Sequence, residues 1–204
     1  MSNDAPASLK IALVSTFPPS TGDLNEYGFH LASTLQQQPS VSLVILADEI
    51  SSRTEIQGFE VRRCWRFNSM LTPFRILWHV WKEKPDCVWF NMGFSTFANS
   101  PIAAFFSVLT PVLLRISTLY THVTLHTIFE RINLVDARVS SVVLYRIAGR
   151  AATRLLLWSG DISVLLPTFR TVVLDENGAP SPAEPSASAS TPRVSPQATP
   201  APSS

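Results

Sequence analysis

Short apolar runs alternate with longer amphipathic segments along most of the chain. The runs predict six β-strands, because they are rich in β-branched and aromatic residues and are bounded by turn residues. The predicted strands are residues 10–15, 41–46, 59–65, 86–91, 122–126 and 161–166. Apolar residues three or four positions apart predict helices at residues 23–37, 73–83, 99–116 and 140–156.

The predicted strands are mostly continuous apolar runs, which is typical of strands covered on both faces. Together with the alternation of strands and helices, this predicts an α/β fold. We expect a Rossmann-like, doubly wound parallel sheet with right-handed crossovers. Asp23 and Glu26 have the spacing of a capping box and predict the start of the first helix.

Composition separates the end of the chain from the rest. Residues 179–204 hold 7 of the 16 prolines, with one acid, one base and no aromatic residue. Such a segment buries too little apolar surface to offset its ordering entropy, so we predict a disordered tail. Residues 9–178 are then predicted to form one domain after a flexible N-terminus of residues 1–8, since about 170 residues suffice for one core.

Charge and cysteine content exclude several classes of function. The net charge is +1 and there is no basic cluster, so nucleic acid is not an expected partner. Residues 1–9 lack an apolar signal core, which favours a cytoplasmic protein with free thiols at Cys64 and Cys87. Residues 101–114 are strongly apolar but too short for a membrane span, which needs ~20 residues. They predict a buried helix, with contact to a membrane surface as the alternative.

Ligands of open parallel sheets bind beyond the carboxyl ends of the strands, which selects three loops. The loop at residues 16–23 leads into a helix N-terminus, and Gly22 within it suits close approach of a phosphate. Asp23 would compete with an anion there, so a structural turn is an equally good interpretation. The dinucleotide fingerprint and the phosphate loop ending in G-K-[ST] are both absent.

Polar side chains follow the fourth and fifth predicted strands. His126 ends its strand and is a candidate for proton transfer or for hydrogen bonding to a sugar hydroxyl, with a core histidine as the alternative. Asn91 and Glu130 are candidate substrate-binding residues, although Asn91 could cap a turn and Glu130 could be a solvated helix-start acid. Val123 follows His122, so the zinc motif H-E-x-x-H is absent and no metal site is predicted.

Four segments together resemble the start of family-four (group 1) glycosyltransferases of the GT-B type. The opening KIALVSTFPPSTGDLNEYGFHLASTL is similar to the family's first strand, its loop and a helix with a late Leu-Ala pair. The segments KPDCVWFN, VTLH and TRLLLWSGDISVLLPTFR are similar to later strands of the same domain. The resemblance covers residues 9–170 in order and spacing.

This resemblance implies an acceptor-binding N-terminal domain of an enzyme that transfers a sugar from a nucleotide-sugar donor with retention. The donor is a co-substrate, and no other cofactor is expected. In the family the first loop approaches the donor diphosphate, a role that carries over to Gly22, and His126 would lie near the transferred sugar. Tyr27, Asn91 and Glu130 complete the candidate substrate-binding set. The family often has Gly-Gly where this chain has Gly22 and Asp23.

We expect that the family's second Rossmann domain, which holds the nucleotide, does not follow residue 178 of this chain. We therefore expect little activity from the chain alone, and a truncated product or one half of a split enzyme. Expected partners are a sugar or lipid-linked acceptor and a complementing C-terminal domain or a second copy of the chain. Peripheral membrane contact would involve Phe105 and Phe106. The alternatives are a non-catalytic α/β binding module and another nucleotide-dependent Rossmann enzyme.

Overall fold

The computed structural model describes residues 8–50, 56–93, 96–98, 101–126, 142–159 and 161–164. Within them lie six strands: β1 (Leu9–Val14), β2 (Val41–Asp48), β3 (Val61–Trp65), β4 (Cys87–Met92), β5 (Tyr120–Leu125) and β6 (Asp161–Val164). The helices are α1 (Asn25–Gln36), α2 (Thr72–Glu83), α3 (Pro101–Ile116) and α4 (Val142–Ser159).

All six strands belong to one parallel sheet with the order β3-β2-β1-β4-β5-β6. The predicted Rossmann-like α/β fold is therefore confirmed. The chain extends the sheet from β1 towards β3, and then returns across it to place β4 on the other side of β1. The border between β1 and β4 is thus the point where the strand order reverses, and it is where sheets of this kind bind ligands.

Two apolar clusters cover the two faces of the sheet. The larger lies under α2, α3 and α4, and contains Val14, Phe90 and Leu125 from the strands with Val80 and Leu156 from the helices. The smaller lies under α1 and centres on buried side chains of the first two strands, the loop after β1 and α1 itself: Leu13, Phe17, Ala32, Ile45 and Ala47. Both cysteines are free and buried, as predicted.

The second half of the sheet departs from the predicted apolar pattern. On β5 the side chains of Val123 and Leu125 enter the larger cluster, whereas Tyr120 and His122 are at most half-buried on the other face. The predicted capping box is wrong. Leu24 occupies the N-cap position without a side-chain cap and has a φ of 70°.

Several predictions concern residues outside the described part of the chain. Glu130 lies in the undescribed segment 127–141. Residues 1–7 and the tail at residues 179–204 are also outside the described residues. The domain boundaries therefore remain predictions. Among the described residues, no helix is long and apolar enough to cross a membrane.

Candidate functional site

Three polar side chains meet at the carboxyl ends of β1, β4 and β5, at the reversal of strand order. Ser15 directly follows β1, Asn91 is the last but one residue of β4, and His126 directly follows β5. Ser15 and Asn91 are fully buried. The backbone N–H of His126 donates to the carbonyl of Met92 at 3.1 Å, which continues the β4–β5 pairing and fixes the main chain of His126.

A directed chain of hydrogen bonds links the three side chains. Asn91 Nδ2 donates to Ser15 Oγ at 2.9 Å, and Ser15 Oγ donates to the carbonyl of Thr16 at 2.8 Å. Since Asn91 uses its amide N–H towards Ser15, its Oδ1 accepts from His126 Nε2 at 2.6 Å. His126 is thereby held with its proton on Nε2, which puts the basic lone pair on Nδ1.

The environment of His126 favours the neutral imidazole. Burial lowers the pKa of His126 below its ordinary 6.5, because desolvation disfavours the charged form. Tyr27, in the first turn of α1, packs against the imidazole with ring centroids 4.4 Å apart and an interplanar angle of 81°. Tyr27 is 37% exposed, so the pair lies at the protein surface. A neutral imidazole beside an exposed phenol ring can accept a hydrogen bond from a ligand hydroxyl or take its proton.

The close approach of α1 to β1 depends on a glycine. A Cβ at Gly28 would lie 2.4 Å from Ser15 Oγ and 2.7 Å from the carbonyl oxygen of Thr16. Any larger residue would therefore push the helix away from the strand end. Gly28 lies one position after Tyr27, so this close contact also sets the distance from Tyr27 to His126.

The loop between β1 and α1 contains the predicted phosphate-binding residue Gly22. A Cβ at Gly22 would lie 2.8 Å from Thr16 Cγ2, so the glycine permits tight folding of the loop. Its N–H donates to Ser20 Oγ at 3.1 Å. The first turn of α1 is also partly satisfied, because Asn25 Oδ1 accepts from the N–H of Glu26. A phosphate at this helix N-terminus would therefore have to displace internal hydrogen bonds.

Asp48 and Arg63 anchor that loop, and sequence reasoning missed both. Asp48, the last residue of β2, accepts from the N–H of Phe17 at 3.1 Å and from the hydroxyl of Ser20. Arg63 donates to the carbonyls of Phe17 and Pro18 and lies 3.6 Å from Asp48 Oδ1. The available signal was an acid directly after an apolar run and an arginine in a short strand, because buried charges need a nearby partner.

The position of Asp48 also bears on dinucleotide binding. In the dinucleotide-binding Rossmann motif an acid about 20 residues beyond the glycine-rich turn accepts from the ribose hydroxyls. Here the acid at the end of β2 already accepts from Phe17 and Ser20 and is only 8% exposed. This internal use disfavours a dinucleotide bound in the usual way.

A row of polar pairs continues from the site along the α1 face of β4, β5 and β6. Trp89 Nε1 donates to Thr124 Oγ1 at 2.9 Å, and the Trp89 ring packs against His122 at 4.7 Å between centroids. His122 Nε2 and Ser163 Oγ are 3.1 Å apart. Burial lowers the pKa of His122. In the described part of the chain, no three His, Cys, Asp or Glu residues are grouped as metal ligands.

The structure therefore brings together three of the five predicted site residues. Tyr27, Asn91 and His126 are joined by direct contacts, and Gly22 lies in the adjoining loop, next to Thr16. The fifth, Glu130, is outside the described residues. Ser15 and Gly28 are additions that the sequence pattern did not single out.

The chain matches no family model, and no curated protein is significantly similar to it. Several solved structures are similar to part of this chain. The Bordetella bronchiseptica enzymes WbmH in complex with NAD+ and WbmG in complex with NAD are 12% and 11% identical, with TM-scores of 0.44 and 0.43. They align with 77% and 80% of this chain, which covers 55% and 53% of theirs.

The lipopolysaccharide outer core galactosyltransferase WaaB, in its apo form, is 13% identical with a TM-score of 0.37. The alignment covers 76% of this chain and 45% of WaaB. The chain thus spans about half the length of these three structures.

Proposed function

We propose that the chain is the acceptor-side domain of a glycosyltransferase that uses a nucleotide-sugar donor. The observation that carries the proposal is the neutral His126, which Asn91 orients at the reversal of strand order and which Tyr27 flanks. The resemblance to family-four glycosyltransferases supports the same assignment of His126. The uncommitted side of the imidazole suits a sugar hydroxyl better than a phosphate, because a neutral ring contributes no positive charge.

Each residue then has a defined role. His126 Nδ1 accepts a hydrogen bond from a sugar hydroxyl, while Asn91 keeps the proton on Nε2 and prevents the ring from turning. The exposed Tyr27 ring packs on the apolar C–H face of the sugar. Gly22 lets the loop after β1 approach the donor diphosphate, at the cost of the bond from its N–H to Ser20 Oγ.

The reaction we propose is retaining transfer of a hexosyl group to an acceptor hydroxyl. Electrostatic stabilisation of the departing diphosphate is a large part of such catalysis. In the family a second Rossmann domain supplies those groups, and we propose that such a domain complements this one, on the same polypeptide or on another. We place the reaction in the cytoplasm, an assignment that fits the free thiols of Cys64 and Cys87.

Saturation-transfer NMR with a panel of free sugars, UDP-glucose and GDP-mannose tests the acceptor-side assignment directly. We expect saturation transfer to at least one sugar, and its loss in His126→Ala. The matched control is His30→Ala, which removes an exposed histidine from the same helix that carries Tyr27. Binding that survives in His126→Ala, or is lost equally in His30→Ala, would refute the role of the imidazole.

A transfer assay tests the reaction itself. Radiolabelled sugar nucleotides are incubated with the chain alone, and with the chain plus a candidate donor-binding domain. Product that requires both components and His126 supports the proposal. If no sugar or sugar nucleotide binds while a protein partner binds equally well to the parent chain and to His126→Ala, the non-catalytic binding module is the better description.

A further inference from the structure

The outer surface of α2 exposes a stripe of aromatic side chains. Phe74, Trp78 and Trp81 are 62%, 56% and 60% exposed, respectively, and recur at helical spacing. The opposite side of the same helix packs Ile76 and Val80 into the larger core. These three aromatic side chains therefore do not pack into the core of the described residues. A contiguous exposed apolar patch of this kind marks an interaction surface.

The patch extends across the neighbouring helices of the same layer. α3 packs between α2 and α4, and all three cover one face of the sheet. Phe106 and Ile116 on α3 are 39% and 64% exposed, and Trp158 on α4 is 60% exposed. We call the solvent-facing sides of α2, α3 and α4 the outer helix surface. Phe105, a residue that the sequence singled out, packs against the core and contributes less to this surface.

Positive charge is concentrated on the same three helices. Their spans contain six basic residues and one acid, whereas the whole chain has a net charge of only +1. The acid, Glu83, is largely buried and is paired with Lys10 and Arg62. The described basic side chains of these helices are Arg75, which is paired with Glu49 at 2.6 Å, and the exposed Lys82, Arg115, Arg150 and Arg154.

Helix α4 aligns its charges with an aromatic residue. Arg150 and Arg154 are exposed and one turn apart, and Trp158 follows after another turn. The buried Ala152 and Leu156 of α4 lie on the opposite side, in the larger core. Cations and an indole ring thus share one line along the solvent-facing side of the helix.

We propose that the outer helix surface docks on an anionic lipid bilayer. Indole and phenyl rings prefer the headgroup level of a membrane, and nearby Lys and Arg side chains are attracted by anionic lipids. The surface combines both features, and its helices carry no exposed acid. Docking through this surface leaves the carboxyl edge of the sheet, with Asn91 and His126, open to one side. The inference goes beyond sugar transfer and does not depend on it.

A shallow groove adjoins this surface at the C-terminal end of α2. It is lined by Val80, Trp81, Lys84, Pro85, Ser117 and Leu119. A largely apolar lining that includes a lysine is compatible with insertion of lipid acyl carbons below an anionic headgroup. The groove therefore supports a lipid occupant at the same place as the aromatic stripe.

Vesicle co-sedimentation with the full chain tests the proposal. Vesicles of equal parts phosphatidylcholine and phosphatidylglycerol should bind the chain and shift its tryptophan emission to shorter wavelength, whereas pure phosphatidylcholine should bind much less. Trp78→Ser with Trp81→Ser should weaken binding on the order of tenfold or more, because both rings leave water on docking. Arg150→Gln with Arg154→Gln should weaken it about 25-fold, or roughly fivefold for each cation near an anionic surface.

A control variant shows whether vesicle binding depends on where the positive charge lies or only on the net charge of the chain. Gln37→Glu with Gln38→Glu lowers the net charge by the same two units at exposed positions beyond the end of α1. This variant should bind the anionic vesicles nearly as well as the parent chain. Equal loss in the control, or full binding by both test variants with unchanged circular dichroism, would overturn the proposal. Binding to DNA or self-association through these residues, with no vesicle binding, would also overturn it.

Discussion

Replacing Asn91 by Asp should raise the pKa of His126 and strengthen the contact between the two side chains. In the parent chain the partner of His126 Nε2 is the neutral Asn91 Oδ1, 2.6 Å away, and burial lowers the pKa of the ring. The variant puts a carboxylate at that place in a fully buried position. The imidazolium then has an opposite charge in direct contact, which offsets its desolvation.

The expected magnitude follows from that distance. An opposite charge in contact shifts a pKa by about 1–3 units, and each unit corresponds to about 1.4 kcal/mol. Ser15 moderates the gain, because its hydroxyl loses the N–H of Asn91 as a donor and must turn from the carbonyl of Thr16 to the new carboxylate. We therefore expect a rise of at least one unit in the pKa of His126 relative to the parent chain, as an order of magnitude.

Imidazole proton or nitrogen resonances followed across pH report the titration directly, with His126→Gln used to assign them. Asn91→Leu is the matched control, since it removes the contact without adding charge and should not raise the pKa.

In Asn91→Asp, the pH dependence of the stability contributed by His126 should have the opposite sign to that in the parent chain. His126 of Asn91→Asp should stabilise the fold at low pH and lose that contribution as pH rises through its raised pKa. An unchanged His126 titration in a folded Asn91→Asp protein would refute the hydrogen-bond arrangement of the site.

Further predictions concern stability and reactivity. Gly28→Ala should lower the free energy of unfolding by ~1–3 kcal/mol in urea titrations, because its Cβ would lie 2.4 Å from Ser15 Oγ. Asp48→Ala should cost roughly 3 kcal/mol by the same measurement, since three groups of the first loop and β3 lose their acceptor. Burial raises the pKa of Cys64 to about 12, so a disulfide reagent should modify this thiol slowly in the native chain and rapidly in urea. The lowered pKa of His126 predicts stability that is present above 6.5 and declines as pH falls, and His126→Gln should flatten that part of the pH profile.

The fold was largely predictable because the local sequence pattern identifies most of its strands. Residues 10–15 and 41–46 are apolar runs with turn residues nearby, and the observed β1 and β2 overlap them closely. The order of the strands was not predicted, since no local pattern shows that β4 lies beside β1. The polar face of β5 was missed because His122 and Thr124 lie among apolar neighbours and are satisfied only by partners on β4 and β6.

The site was predictable in its location and less so in its contacts. His126 and Asn91 end apolar strands, and parallel strands bring such ends to one edge of the sheet. Their direct hydrogen bond depends on the β4–β5 register, in which Asn91 pairs with Thr124. The helix start was mispredicted because Asp23 and Glu26 fit a local motif, while tertiary contacts placed the cap at Leu24.

The loop after β1 is best understood as a rigid support for the site. Leu24 holds a left-handed backbone conformation, which costs a bulky residue roughly 1–2 kcal/mol. Such strain persists only where the surroundings impose it, and here Asp48 and Arg63 bind one end of the loop while Gly28 fixes the helix that follows. Tyr27 lies between Leu24 and Gly28, so its contact with His126 depends on both. A ligand that binds between Tyr27 and His126 therefore meets groups already held in place, and substitutions at Asp48 or Gly28 should weaken its binding without contacting it.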